Sequence, residues 1–155
     1  LALASSIKIM SWVRVYVHMV FSTKNREPYL NSLELRKKVF QHIKENAEEK
    51  GIWLDCINGY QDHVHCLISI GREQNLSKVA QLIKGESSFW INQNKLTSKK
   101  FIWQDDYWVV GVSESHLASV RKYIHNQEKH HLTTSFINEI NGFMEKYGWT
   151  LLENN

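Results

Sequence analysis

The sequence predicts an α+β fold of the ferredoxin-like, split β-α-β kind also seen in RRM domains. Two observations predict it. Strand-type and helix-type stretches follow the order β-α-β-β-α-β, with two more helical stretches after them. The link between the two middle strands, Gly59-Tyr60-Gln61-Asp62, is short enough for an antiparallel hairpin. The expected product is an antiparallel sheet with helices on one face and added C-terminal helices. Many functions use this arrangement, so the order alone assigns no chemistry.

Each element has its own signal. Trp12 to Phe21 is rich in Val, Tyr and Phe with near period-two alternation, which reads as the first strand. Ser22 to Pro28 is a polar loop around the single proline. From Ser32 to Lys50 the residues Leu35, Val39, Phe40, Ile43 and Ala47 recur at helical spacing, and Gly51 closes the helix. Ile52 to Tyr60 and His63 to Ile70 read as the second and third strands. Asn75 or Ser77 can cap a second helix carrying Leu76, Val79, Ala80, Ile83, Phe89 and Ile91. After a basic, aromatic connection, Trp108 to Val112 reads as the fourth strand. Ser113 or Ser115 can cap a third helix reaching about Lys129, with Leu117, Val120 and Ile124 inward. Thr134 to Tyr147 reads as the last helix, its apolar residues being Phe136, Ile137, Ile140, Phe143 and Met144.

The 155 residues suit one compact domain, and 43% hydrophobic with 23% charged residues is a globular composition. Residues 1–11 are expected to be a disordered or extension segment, 12–149 the single domain and 150–155 a C-terminal tail. No stretch approaches the roughly 20 apolar residues of a membrane span, and the opening residues lack the basic start of a signal peptide. Cys56 and Cys66 sit in apolar runs without metal-type spacing, which predicts buried thiols and a cytoplasmic setting. The net charge of +3 permits a polyanionic partner without requiring one.

Two segments carry candidate chemistry. In Asp62-His63-Val64-His65-Cys66-Leu67-Ile68-Ser69-Ile70, strand alternation puts Val64, Cys66, Ile68 and Ile70 on the core side. His63 and His65 then project together from the other face. Neighbouring neutral imidazoles are natural metal ligands, although a lone His-x-His more often just packs. In Arg121-Lys122-Tyr123-Ile124-His125-Asn126-Gln127, helical spacing puts Tyr123 and Gln127 one turn apart on one face. A hydroxyl and an amide oxygen so placed can serve one phosphate, though such a pair alone is usually an ordinary helix face.

Together, His63-Val64-His65 and Tyr123-Ile124-His125-Asn126-Gln127 resemble the signatures of the single-tyrosine transposases of the HUH nuclease superfamily, REP-associated enzymes included. Tyr16 to Arg26, Leu82-Ile83-Lys84-Gly85 and Phe101 to Tyr107 are similar to that family at matching places, so the resemblance spans Trp12 to Trp149. Gln61, where many relatives have proline, and Trp108-Val109-Val110, in place of a smaller Gly-containing stretch, depart from it.

The resemblance implies a bacterial mobile-element enzyme that cleaves and rejoins single-stranded DNA next to hairpin ends. His63, His65 and Gln127 would hold Mg²⁺ or Mn²⁺ as a Lewis acid on the scissile phosphate. Tyr123, on its C-terminal helix, would attack phosphorus to give a 5′-phosphotyrosine bond and a free 3′-OH. Bond energy is conserved in the adduct, and the chain has no phosphate-binding Gly-Lys-Ser/Thr loop, so no nucleotide cofactor is expected. Lys24, Arg26, Lys84, Lys99, Lys100 and Arg121 are candidate phosphate contacts, and Trp103 or Tyr107 a candidate base stacker. The family commonly forms homodimers in which the tyrosine can serve the partner's metal site. His125 and His130 lie near the tyrosine in sequence, but neither is assigned as its base. The alternatives are a domesticated REP-type hairpin nickase and a non-catalytic RRM-like nucleic-acid-binding module.

Overall fold

The computed structural model describes residues 11–147, so the expected tail at 150–155 and nearly all of the expected extension at 1–11 lie outside the described residues. Four strands, β1 (Val15–Ser22), β2 (Trp53–Gly59), β3 (His63–Ile70) and β4 (Trp108–Val112), form one sheet in the order β2-β3-β1-β4. All three pairings are antiparallel. This is the split β-α-β topology, with β3 and β1 central. β1 starts later than the alternation suggests, and Trp12 is 99% exposed.

One sheet face is covered by α1 (Leu33–Glu49) and α2 (Leu76–Gln93), as the apolar stripes require. The Ser32 side chain accepts from the Leu35 N–H at the start of α1, and Asn75 accepts from the Lys78 N–H at the start of α2. Gly51, at φ +70°, takes the left-handed position that follows the α1 cap. Val64, Cys66 and Ile68 of β3 meet Val17, Met19 and Phe21 of β1 in this core, together with Val39, Ile43, Val79 and Ile83 from the helices. Both cysteines are buried and free.

The opposite face is covered too, by α3 (Leu117–His125), α4 (Gln127–His130) and α5 (Phe136–Tyr147). A smaller apolar cluster joins Tyr16, Cys56 and Leu67 of the sheet to Leu117 and Ile124 of α3. The single helix expected from Ser113 or Ser115 to Lys129 is in fact three pieces. Glu114–His116 is a 3₁₀ turn, and Asn126 (φ −89°, ψ 13°) separates α3 from α4. Asparagine is a weak helix former that competes for backbone hydrogen bonds, and the Asn126 N–H folds back to the carbonyls of Lys122 and Tyr123. The side chains of Phe143 and Met144, expected on the apolar stripe of α5, lie outside the described ones. Among the described residues no helix is long and apolar enough to cross a membrane.

Candidate active site

The face of the sheet opposite the main core presents a row of imidazoles. β3 contributes His63 and His65, and β1 adds His18, all buried. The β1–β3 register places Val20 opposite His65 and His18 opposite Leu67, so His18 shares the face of the other two. Its Nε2 lies 2.9 Å from His65 Nδ1. The hairpin that delivers His63 is tight: a Cβ on Gly59 would collide with the His63 carbonyl oxygen. Only glycine permits that approach, which sets where β3 begins.

Gln127 closes over this row from the start of α4 and is fully buried. Its Oε1 is 3.3 Å from His63 Nε2 and 3.0 Å from His131 Nε2. The amide orientation follows from its other end: Nε2 donates to the Tyr123 carbonyl at 3.4 Å, and a carbonyl can only accept. Arg36 holds α4 in place, with a two-pronged pair to Glu128 at 2.6 and 2.9 Å and a bond from Nη1 to the Leu30 carbonyl. The Tyr123 ring centroid lies 5.6 Å from that of His65, 6.1 Å from His18 and 5.5 Å from His130. His125 is exposed, as its spacing from Tyr123 suggests.

Three of the four residues singled out in the two motifs, His63, His65 and Gln127, therefore converge, and Tyr123 packs beside them. Two more residues join them. One ligand atom from each of His63, His65, His131 and Glu139 lies within 4.8 Å of the others. Glu139 reaches in from α5, with Oε1 3.2 Å from His65 Nε2 and Oε2 2.9 Å from His131 Nε2. His131 lies four residues after Gln127, and its N–H donates to the Gln127 carbonyl, so helical spacing reaches it; for Glu139, beyond the connection that follows, spacing gave no signal. The one available cue was a carboxylate in an otherwise apolar helix stripe. The Phe136 ring stacks on His63 at 4.3 Å, and a groove lined by Tyr60, Asp62, His131 and Phe136 opens beside the cluster.

Burial sets the protonation of three of these imidazoles. It lowers His18 and His131 to about 4 and His65 well below 6.5, so these imidazoles stay neutral near pH 7 with lone pairs to offer. Burial also lifts the Glu139 carboxyl to about 8, with the nearby charge of Asp62 adding to the effect. Three imidazole nitrogens, an amide oxygen and a carboxyl group form a donor set that could hold a divalent metal ion.

The candidate DNA contacts divide into two groups. Arg26, Lys99 and Lys100 are exposed and Lys24 is partly so. The loops bearing them are neighbours, since the Lys24 N–H donates to the Ile102 carbonyl and Thr23 bridges to Trp103. Lys84 and Arg121 are engaged with protein acceptors. Lys84 Nζ bonds the Asp105 carbonyl at 2.6 Å, and Arg121 makes two bonds to Asp55 at 2.8 and 2.7 Å. Trp103 offers no free ring. It packs on Phe21 and Phe101, and its indole N–H donates to Ser87. Tyr107, 38% exposed, is the open aromatic of that region.

A family of IS200-like transposases matches residues 11–127. The chain belongs to that family. The IS200-like transposases are single-tyrosine enzymes of the HUH type, and membership implies DNA cleavage and strand transfer. The chain is 25% identical over 115 residues to the ISDra2 transposase TnpA of Deinococcus radiodurans, covering 71% of this chain and 81% of that protein. Two solved structures share the fold. One, described as a transposase from Deinococcus radiodurans, has a TM-score of 0.60 at 23% identity, covering 77% of this chain and 96% of that one. The other is a REP-associated tyrosine transposase bound to a REP hairpin, with a TM-score of 0.51 at 15% identity, covering 94% of this chain and 76% of that one. The family match of this transposase ends at Gln127, so His131 and Glu139 lie past it.

Proposed function

We propose that this transposase cleaves and rejoins single-stranded DNA next to hairpins, with Tyr123 as nucleophile and His63, His65 and Gln127 holding Mg²⁺ or Mn²⁺. The observation that carries the reading is the convergence of His63 Nε2, His65 Nε2 and Gln127 Oε1 beside the Tyr123 ring. A non-catalytic RRM-like module has no need to bring these side chains together.

Tyr123 Oη attacks the scissile phosphorus, the bond from phosphorus to the 3′ oxygen breaks, and the leaving oxygen takes a proton to become a 3′-OH. The DNA stays attached through a 5′-phosphotyrosine bond until another 3′-OH attacks and the tyrosine is released and reprotonated. Bound in the cradle, a divalent cation would supply Lewis-acid polarisation of that phosphate. His18 and Asp62 orient the two strand histidines through their Nδ1 atoms. Arg36 orients Gln127 through Glu128. Lys24, Arg26, Lys99 and Lys100 would meet phosphates of the hairpin, with Tyr107 under a base. Lys84 and Arg121 could join only by leaving their present acceptors, and Trp103 only by leaving the core. The enzyme acts as a homodimer. Within one chain Tyr123 already lies beside its own histidines, and exchange of α3 between subunits would build composite sites.

The test incubates the protein with hairpin-bearing single-stranded DNA and Mg²⁺ or Mn²⁺ and looks for a covalent adduct on a denaturing gel. The adduct should form in the wild type, vanish in Tyr123→Phe and vanish on chelation. An adduct that survives Tyr123→Phe refutes the nucleophile. Cleavage without transfer to a second 3′-OH would instead favour a domesticated REP-type hairpin nickase.

A further inference from the structure

We propose that His131 and Glu139 are ligands of the same cation as His63, His65 and Gln127, making a five-residue cage that favours a transition-metal ion. The inference rests on the metal reading above and adds two residues that the family match does not reach.

Proton positions decide which atoms offer lone pairs to the cage. His131 Nδ1 lies 2.7 Å from the Thr134 carbonyl, which only accepts, so the ring proton sits on Nδ1 and the Nε2 lone pair faces inward. His63 Nδ1 lies 2.7 Å from Asp62 Oδ1 and donates in the same way. His65 Nδ1 is engaged with His18, and His65 Nε2 makes no hydrogen bond although Glu139 Oε1 is 3.2 Å away. Both oxygens of the Glu139 carboxylate are likewise buried without a hydrogen bond. The Nε2 lone pairs of His63 and His131, Gln127 Oε1 and the two Glu139 oxygens thus face one another, several at 2.9 to 3.3 Å, with His65 Nε2 3.2 Å from Glu139 Oε1.

Such an arrangement is repulsive unless positive charge lies within it. One proton could bridge one pair, and the remaining lone pairs would stay opposed. A cation answers all of them at once. Imidazoles that donate Nδ1–H to a carboxylate and to a carbonyl have the outer-shell support usual for metal-bound histidine. Three imidazole nitrogens shift the preference from Mg²⁺ towards transition ions, while the carboxylate and amide oxygens keep Mn²⁺ within range.

The test uses the whole chain, stripped with chelator and titrated with Mn²⁺ alone by calorimetry and electron paramagnetic resonance. Glu139→Gln and His131→Phe should each weaken Mn²⁺ binding by about tenfold or more. His131→Phe should also lose one of three imidazole nitrogen couplings. Metal-free Glu139→Gln should melt at or above the wild type, because the amide can donate N–H bonds to the acceptors that crowd this position. A merely structural Glu139 predicts the reverse, a lower metal-free melting point and unchanged Mn²⁺ affinity. Should His131→Phe fail to fold, the two Glu139→Gln readings decide alone. Wild-type Mn²⁺ affinity in both variants, with binding lost in the His63→Ala/His65→Ala pair, overturns this inference and leaves the proposed function standing. Unchanged binding in that pair as well refutes the metal reading itself.

Discussion

Along β3, alternate residues are equally buried and chemically opposite. Val64, Cys66 and Ile68 face α1 and α2 in an apolar core, while His63 and His65, just as inaccessible, face α3, α4 and α5. The first face gains from every carbon it removes from water. On the second, desolvation disfavours charge on His65, and the polar groups are fixed by specific partners such as Asp62, His18 and Thr134. Burial therefore serves stability on one side of the strand and a prepared binding chemistry on the other.

Truncating neighbours on opposite faces of β3 should separate the two roles. Ile68→Ala should cost about 2–5 kcal/mol of folding stability, because a filled site becomes a cavity. Whatever fraction stays folded should keep its covalent chemistry. His65→Ala should abolish the DNA adduct while the metal-free protein stays folded. Denaturant melts and the adduct assay on both variants check this. Equal stability losses from the two would mean that the histidine face is simply more core.

A smaller effect is expected one layer out, where Arg36 links α1 on the core face to α4 on the site face. Arg36→Ala should leave the sheet folded but let α4 and Gln127 drift, lowering adduct yield and Mn²⁺ affinity together. Arg36→Lys should rescue poorly, since an ammonium cannot reproduce the two-pronged hold on Glu128. If Arg36→Ala changed adduct yield alone, with Mn²⁺ affinity intact, Arg36 would be acting on the DNA and not on the cradle.

These differences also explain what could be read from the sequence. Period-two alternation revealed β3 and put both histidines on one face, and stripes such as Val39-Phe40-Ile43 placed α1, because local spacing decides local geometry. The one-turn offset of Tyr123 and Gln127 survived even though Asn126 interrupts the helix between them. His131 continues the four-residue spacing from Gln127, but His18 and Glu139 left no comparable trace. Their meeting depends on the β1–β3 register and on how α5 folds back across the sheet, neither of which a local pattern encodes. Trp103 shows the opposite failure: an aromatic in a basic loop looks like a stacker, but the Ser87 hydroxyl and two rings take it into the core.

The mildest test concerns how the site face is fastened at its rim. Arg121 of α3 bonds Asp55, the residue at the register shift of β2, and tethers the tyrosine helix to the sheet edge. The guanidinium holds the Asp55 carboxyl below its ordinary 3.8, with burial opposing and the Lys44 charge assisting. A carboxylate whose pKa is depressed by folding stabilises at pH values above its unfolded pKa, and the benefit disappears as pH falls through the lower folded value. Wild type should therefore exceed Asp55→Asn in stability by a constant small margin from pH 7 to about 4, and the margin should close below that. Melts of both proteins at stepped pH read it directly, and added salt should shrink the margin because Arg121 is half exposed. A margin independent of both pH and salt would show that packing around β2, and not the ion pair, fastens α3. The rim of the site face would then be held as the main core is.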